Sequence, residues 1–330
     1  MKKTIYLFNS GILQRKDNTI CFELEEGKKY LPVENIKEIM VFGEVDLNKR
    51  FLEFISSKEI LIHFFNHYGY YSGSFYPREH YNSGYMILKQ AEFYSNEVKR
   101  IELAKKFVLG AIQNIQKVLS YYNSRGKDLS EIIESIDNLK SSLPNCADTN
   151  VLMSIEGNIR DKYYDAFDII LNNPDFKFEK RTRRPPQNKL NSLISFGNSL
   201  LYTKVLSEIY KTHLDPRIGF LHTTNFRRFS LNLDVAEIFK PIIVDRIIFT
   251  LINKNILKNT HFEKKSGGIF LNDKGRELFL KELEEREKTT IDHKKLGRKV
   301  SYRRLIRMEL YKLEKHLIGE EEYEPYVSGW

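Results

Sequence analysis

Between Arg217 and Arg246 the chain reads RIGFLHTTNFRRFSLNLDVAEIFKPIIVDR, a stretch holding the residue types that phosphodiester chemistry requires. His222 lies in a short polar loop ahead of an expected helix, and Asp234 and Glu237 stand about one turn apart on one face of that helix. Arg227, Arg228 and Lys240 surround them. Imidazole plus carboxylate can hold a hard divalent cation, and nearby cations can balance charge on a phosphate. The same residues also suit helix capping and surface salt bridges, and a motif this short does not separate the two readings.

A further acid stands apart from this stretch. Glu156 falls within an apolar section of DTNVLMSIEGNIRDKYYDAFDIIL, with Met153, Ile155 and Ile159 expected to face a core. A carboxylate there is costly unless it is paired or metal-bound. Arg160, one turn on, offers an ordinary helix ion pair. Gly157 weakens a helix interior by ~1 kcal/mol relative to Ala, which suggests close approach by another element or a ligand.

Composition sets the class. The 330 residues are 41% hydrophobic and 29% charged, enough for a globular protein of two domains with a sizeable core. A formal charge of +9 favours an acidic partner such as nucleic acid, although solubility alone would account for it. Cys21 and Cys146 are far apart and lack metal-type spacing, so free thiols in a reducing cytoplasm are expected. The apolar stretch after Met1-Lys2-Lys3 is too short for a signal segment, and no run approaches the ~18 apolar residues of a membrane helix.

The elements that must position these residues follow from hydrophobic period. Residues 1–79 read as a small β-sheet domain: strands at Thr4–Phe8, Gly11–Arg15, Thr19–Leu24, Tyr30–Val33, Ile36–Phe42, Ile60–Phe65 and Tyr70–Phe75, with one helix over Asp46–Ser57. His63 and His67 are read as a strand and a turn residue, since no acid has ligand spacing to them. Residues 80–85 form a polar linker, and 86–330 an α-helical domain. Its expected helices are Met86–Asn123, Leu129–Leu143, Asp148–Leu171, Leu190–Thr212, the helix after His222 extended through Leu257 and kinked at Pro241, Asn272–Lys288 and Lys294–Lys315. Phe262–Phe270 reads as a hairpin around Gly267-Gly268. Asn191 and Ser195 are placed to form a buried polar pair.

Two basic tracts stand out. DFKFEKRTRRPPQNK carries Lys180, Arg181, Arg183 and Arg184 with Phe176 and Phe178 interleaved, which suits phosphate contact with some base stacking or, equally, a solvated loop. The last helix adds Lys294, Lys295, Arg298, Lys299, Arg303, Arg304 and Arg307. Glu320–Gly329 is an acidic, aromatic tail, expected to be disordered or docked on a partner.

Taken in order, TIYLFNSGILQRKDNTI, LPVENIKEIMVFGEVDLN, HFFNHYGYYSGSFYPRE, MSIEGNIRDKYYDAF, RRPPQNKLNSLISFGNSLLY and the Arg217–Arg246 stretch resemble the CRISPR-associated spacer-acquisition integrases, the Cas1 family, over nearly the whole chain. The resemblance implies an α+β protein: a small N-terminal β-sheet domain that forms a homodimer, then an all-α catalytic domain. It implies a Mg2+- or Mn2+-dependent DNA endonuclease and integrase of CRISPR adaptation. Such an enzyme joins the 3′-hydroxyl ends of captured DNA to the repeat by transesterification, partnered by the small Cas2 protein. It assigns the metal to Glu156, His222 and Glu237, with Asp234 lining the site and Lys240 near the scissile phosphate. The DNA-binding expectation covers Lys180, Arg181, Arg183, Arg184, Arg227, Arg228, Arg298, Arg303 and Arg304. The family's tyrosine after SFG is Asn198 here, so its role is absent or passes to Tyr202. A branched-DNA repair nuclease and a DNA-binding scaffold without chemistry are the rival readings.

Overall fold

A computed structural model describes residues 2–78, 81, 83–224, 229–293 and 296–329. The chain divides into two compact units, Met1–His80 and Tyr81–Trp330.

The first unit carries two four-stranded sheets. Strands β1 (Lys3–Leu7), β5 (Ile36–Val41), β7 (Leu61–Phe65) and β8 (Tyr71–Phe75) lie in that order, parallel except for the β7–β8 pair. β4 (Gly27–Pro32), β3 (Thr19–Leu24) and β2 (Gly11–Lys16) are antiparallel, and β6 (Val45–Leu47) adds to β2 in parallel. The helix expected from Asp46 starts later. Val45–Leu47 is strand, and α1 (Lys49–Ser57) begins after Asn48, whose side chain accepts from the Phe51 amide at 3.0 Å. Phe51, Phe54 and Ile55, at helical spacing, then bury on the core shared with Leu13, Ile20 and Ile39. His63 is a strand residue and His67 a turn residue, as read. His63 does have an acid neighbour, supplied across the sheet. Thr4, Glu38, His63 and Ser74 come from the four successive strands, with Thr4 Oγ1 donating to Glu38 at 2.7 Å and His63 Nδ1 2.6 Å from Ser74 Oγ.

The second unit is helical with two small β-ladders, so "all-α" holds only for its frame. Its elements are α2 (Gly84–Ser95), α3 (Glu97–Asn123), α4 (Ser130–Lys140), α5 (Thr149–Leu171), α6 (Lys189–Ile209), α7 (Leu231–Phe239), a π-helical turn (Pro241–Asp245), α8 (Arg246–Asn253), the ladder β9–β10 (Phe262–Lys265, Gly268–Leu271), α9 (Asp273–Lys288), the ladder β11–β12 (Thr290–His293, Arg298–Ser301) and α10 (Tyr302–Leu317). The single helix expected over Met86–Asn123 is two, because the Asn96 side chain caps α3 by accepting from the Lys99 amide at 3.0 Å. The helix expected from Lys294 starts only at Tyr302, so Arg298 and Lys299 belong to a strand.

All nine residues of α7 are buried, which marks it as the central helix; it packs on α3 and α6. Close packing is most demanding at Gly197 of α6. A Cβ there would lie 2.5 Å from Val244 Cγ1 and 2.8 Å from Phe279 Cζ, both fully buried. Gly197→Ala is therefore expected to lower the unfolding free energy by about 1–3 kcal/mol through overpacking, read as a lower thermal midpoint.

The acidic tail is docked on its own chain, contrary to expectation. Tyr323, fully buried, donates its hydroxyl to Glu309 at 2.6 Å, and the Tyr326 amide donates to the same oxygen at 3.0 Å. Asn114 on α3 ties this tail to α7. Its Nδ2 donates to Ile238 O and Tyr326 O at 2.9 Å each, and its Oδ1 accepts from the Ser328 amide at 2.8 Å.

Candidate active site

α5 presents Glu156 on its buried stripe. Leu152, Ile159 and Tyr163 form that stripe at helical spacing, while Met153, expected in the core, is exposed. The Glu156 side chain keeps 22% exposure, so it borders the core without being sealed in it. No atom approaches the position a Gly157 Cβ would occupy, so close packing by another element does not explain that glycine.

His222 is set by Asp234. The fully buried Asp234 carboxylate accepts from the amides of Phe220, Leu221 and His222 at 2.5, 3.0 and 2.9 Å, and from His222 Nδ1 at 2.8 Å. The loop wraps so tightly that a Cβ on Gly219 would lie 2.8 Å from Asp234 Oδ2 and 2.7 Å from the Ser230 carbonyl carbon, which is why this position is glycine. With Nδ1–H donated to a carboxylate, Nε2 carries the imidazole lone pair that a ligand would meet. Burial lowers the His222 pKa, but the Asp234 hydrogen bond and charge outweigh it and set it above 6.5.

Glu237, on α7, is gripped by two cations. Arg160 Nη2 lies 3.0 Å from Oε2, and Lys240 Nζ binds Oε1. Arg160 also reaches Glu156 at 3.7 Å and Asp245 at 3.6 Å. The expected Glu156–Arg160 ion pair therefore exists, as one arm of a larger cluster. Pro241 explains how Asp245 joins it. Pro241 has no N–H, the ladder widens to an Asp245 N to Lys240 O bond of 3.1 Å, and this π turn rotates Asp245 towards Arg160. Two carbonyls beside the turn accept from side chains of other elements: Ile238 O from Asn114, and Ile242 O from Arg286 at 2.7 and 3.0 Å.

Burial pushes the Glu237 carboxyl up, but Lys240, Arg160 and His222 more than offset it and hold it well below the usual range. Glu156 is pushed up, by burial first and by Glu237 second. Burial raises Asp245 to about 6 despite Arg160 and Lys240. Lys240, 5.1 Å from the Tyr202 ring centroid, stays protonated because Glu237 overcomes its burial. Three carboxylates thus face two cations and an imidazole.

Glu156, His222, Glu237 and Lys240 interact electrostatically, with Asp234 behind His222, so the structure brings all five sequence candidates together. Among the described residues, no three acidic, histidine or cysteine side chains are drawn into a ready metal cage; Lys240 and Arg160 hold Glu237 instead. The donor set nevertheless fits a hard divalent cation: carboxylate oxygens in excess of their counterions, plus one imidazole whose Nδ1 is engaged by Asp234 so that Nε2 is the coordinating nitrogen. Sequence reading missed Asp245, although a lone acid in the apolar run PIIVDRIIF carried the same signal as Glu156.

The expected DNA contacts divide. Lys180, Arg183, Arg184, Arg298 and Arg304 are exposed. Arg181 turns inward to Asn191 Oδ1 and Ser195 Oγ at 2.9 and 3.0 Å, replacing the expected Asn191–Ser195 pair. Arg303 lies 3.3 Å from Glu208, whose second oxygen Arg307 holds at 2.5 Å. Phe176 and Phe178 are buried in the core, so they cannot stack on bases. Arg227 and Arg228, like Lys294 and Lys295, fall outside the described residues. Among those residues, no helix is long and apolar enough to cross a membrane.

Residues 5–285 match a family model described as CRISPR associated protein Cas1. The chain is 66% identical over 330 residues to a CRISPR-associated endonuclease Cas1 of Thermodesulfovibrio yellowstonii, covering 100% of both chains. It is 55% identical over 321 residues to the CRISPR-associated endonuclease Cas1 of Thermotoga maritima, covering 97% of this chain and 98% of that one. Its fold matches the solved structure of a Thermotoga maritima Cas1 protein with a TM-score of 0.90 at 53% identity, over 98% of this chain and 100% of the other. At 20% identity, a casposase bound to integration product shares the fold with a TM-score of 0.89, over 100% of this chain and 94% of that one.

Proposed function

The chain belongs to the CRISPR-associated Cas1 family, and we propose that it is a divalent-metal-dependent DNA endonuclease and integrase of CRISPR adaptation. The observation that carries the chemistry is the convergence of Glu156, His222, Glu237 and Lys240 from three separate segments on one buried, acid-rich cluster. The endonuclease names of full-length relatives support the same reading. DNA, the small Cas2 protein and a second copy of this chain are the proposed partners.

Glu156, Glu237 and His222 Nε2 would hold Mg2+ or Mn2+, which when bound supplies polarisation of the scissile phosphate and a lowered pKa for the attacking hydroxyl. Asp234 keeps His222 in the Nδ1–H tautomer and fixes its ring, so no reorganisation is needed at that ligand. Lys240 is a permanently charged group at the site, suited to balancing charge on a pentacovalent phosphorus. Attack by the 3′-hydroxyl of a captured fragment on a repeat phosphodiester would form the new P–O bond and break the bond to the repeat strand's own 3′-oxygen, which leaves as a 3′-hydroxyl; attack by water would cleave the same kind of bond.

A half-site assay on a supercoiled plasmid carrying the repeat, with and without Mn2+, tests this reading. Metal-dependent strand transfer is the expected result. Cleavage of branched DNA without strand transfer would leave a repair nuclease and sink the integrase assignment.

Proton competition gives a separate expectation. His222 must release its proton to coordinate, and its pKa lies above 6.5, with the raised Glu156 acting in the same direction. Mn2+ affinity, followed by titration calorimetry, should therefore rise with pH through a midpoint above 6.5. A midpoint well below that value would contradict His222 as a ligand.

A further inference from the structure

Arg160 faces three carboxylates and is hydrogen-bonded to one of them. Its Nη2 donates to Glu237 Oε2 at 3.0 Å, while Nε stands 3.7 Å from Glu156 and Nη1 3.6 Å from Asp245 Oδ2, both beyond hydrogen-bond range. Nη1 and Asp245 Oδ2 are buried, and among the described residues neither has a hydrogen-bond partner. A buried donor and acceptor of opposite charge, set face to face, ordinarily close into a bond. Here the planar fork is held on Glu237 instead.

Asp245 is ready to receive it. This buried carboxylate takes no part in the metal chemistry proposed above, and the π turn brings it here. Burial disfavours its charge, while Arg160, Lys240 and the Tyr163 hydroxyl favour it. That hydroxyl, one turn after Arg160 on α5, is also buried without a hydrogen-bond partner among the described residues. Glu237, by contrast, is doubly served, because Lys240 Nζ binds its other oxygen. It can lose Arg160 and keep a cation. Charge taken up by Glu156 and Glu237 would repel the guanidinium that now holds them. Only about 0.7 Å separates Nη1 from an ordinary hydrogen bond to Asp245.

We propose that Asp245 is a positioning residue of the metal site, the second acceptor to which Arg160 moves when a divalent cation takes its place on Glu156 and Glu237. Arg160 balances these carboxylates until then, and Asp245 keeps the displaced guanidinium paired within the buried region. This inference rests on Glu156, His222 and Glu237 holding the cation, so its test separates the two failures.

The test is titration calorimetry of Mn2+ into the full chain at pH 8, without DNA, in a double-mutant cycle. Asp245→Asn keeps the shape and removes a charge that burial already disfavours, so the thermal midpoint in EDTA should change little. Mn2+ should nevertheless bind about tenfold more weakly, the difference between a charged and a neutral acceptor for a buried guanidinium. Arg160→Gln should bind Mn2+ more tightly than wild type, since no guanidinium then competes for Glu237. Adding Asp245→Asn to Arg160→Gln should alter the affinity by less than about twofold. Unchanged affinity in Asp245→Asn overturns the inference. So does an equal loss in both backgrounds, which would mark a direct effect of the Asp245 charge on the cation. If Arg160→Gln does not fold, crystal structures of the wild type with and without Mn2+ decide. Nη1 should reach hydrogen-bond distance of Asp245 in the Mn2+-bound form; a guanidinium still bonded to Glu237 there overturns the inference alone. Mn2+ held away from Glu156, His222 and Glu237, or not bound at all, overturns the proposed metal site as well.

Discussion

His222→Ala should abolish strand transfer and cleavage together, with rates down by at least about a thousandfold, while leaving the fold intact. The size follows from what the imidazole does. In the proposed site it would contribute Nε2 to a predominantly oxygen donor set, and Asp234 has already oriented it, so its loss would remove a ligand held in place before binding. Asp234 itself stays satisfied in the variant, because three backbone amides still donate to it. The loop should therefore survive, and the thermal midpoint in EDTA should move little. That separation is the point of the measurement. Loss of both reactions with an unchanged midpoint identifies a ligand; undiminished cleavage would show that the reacting centre lies elsewhere. Asp234→Ala should behave differently, destabilising the protein as well, since it strands those amides in a buried place.

The contrast between His222 and Asp234 shows how much was legible in the chain. Residue types and order gave the two-part architecture and most strands and helices, and the family resemblance put forward Glu156, His222 and Glu237 as the site residues. Asp234 was read only as an acid lining the site. That it is the anchor of the GFLH loop depends on a carboxylate accepting from three amides at once, which spacing does not encode. Other differences have causes as specific, some local and some long-range. Asn96 splits a helix that periodicity joined, because a cap outcompetes one more helical turn. Phe176 and Phe178 looked like stacking platforms among cations, but alternation had already turned them to the core. Arg181 and Arg303 looked like phosphate contacts until tertiary structure supplied Asn191 and Glu208 as partners. The acidic tail found its place in the groove that Asn114 and Glu309 line, a long-range pairing with no periodic signature.

Pro241 is the instructive case. Read as a kink, it opens a π turn, and this turn brings Asp245 into the acid cluster that Arg160 holds together. The cluster has a testable energetic consequence. Arg160→Ala leaves Glu156, Glu237 and Asp245 in a buried region with Lys240, paired to Glu237, still balancing them in part. Removing one partner of a buried ionic group costs about 3–5 kcal/mol, because the carboxylates left behind are neither solvated nor fully balanced. The loss should depend on pH with a definite sign. Asp245 already has a folded pKa of about 6, raised from 3.8, so the native state binds the extra proton. Between those values stability therefore falls as pH rises, and above about 6 the full penalty applies. Without Arg160, which lowers both Asp245 and Glu156, the penalty grows, so denaturant unfolding should show a larger deficit at pH 8 than at pH 5. Divalent metal should act in the opposite direction. A cation bound only by the folded state stabilises it in proportion to the logarithm of its concentration over Kd. Arg160→Ala should thus regain more stability from Mn2+ than the wild type does. Equal gains in the two proteins would mean that Arg160 does not stand where the metal's charge is needed.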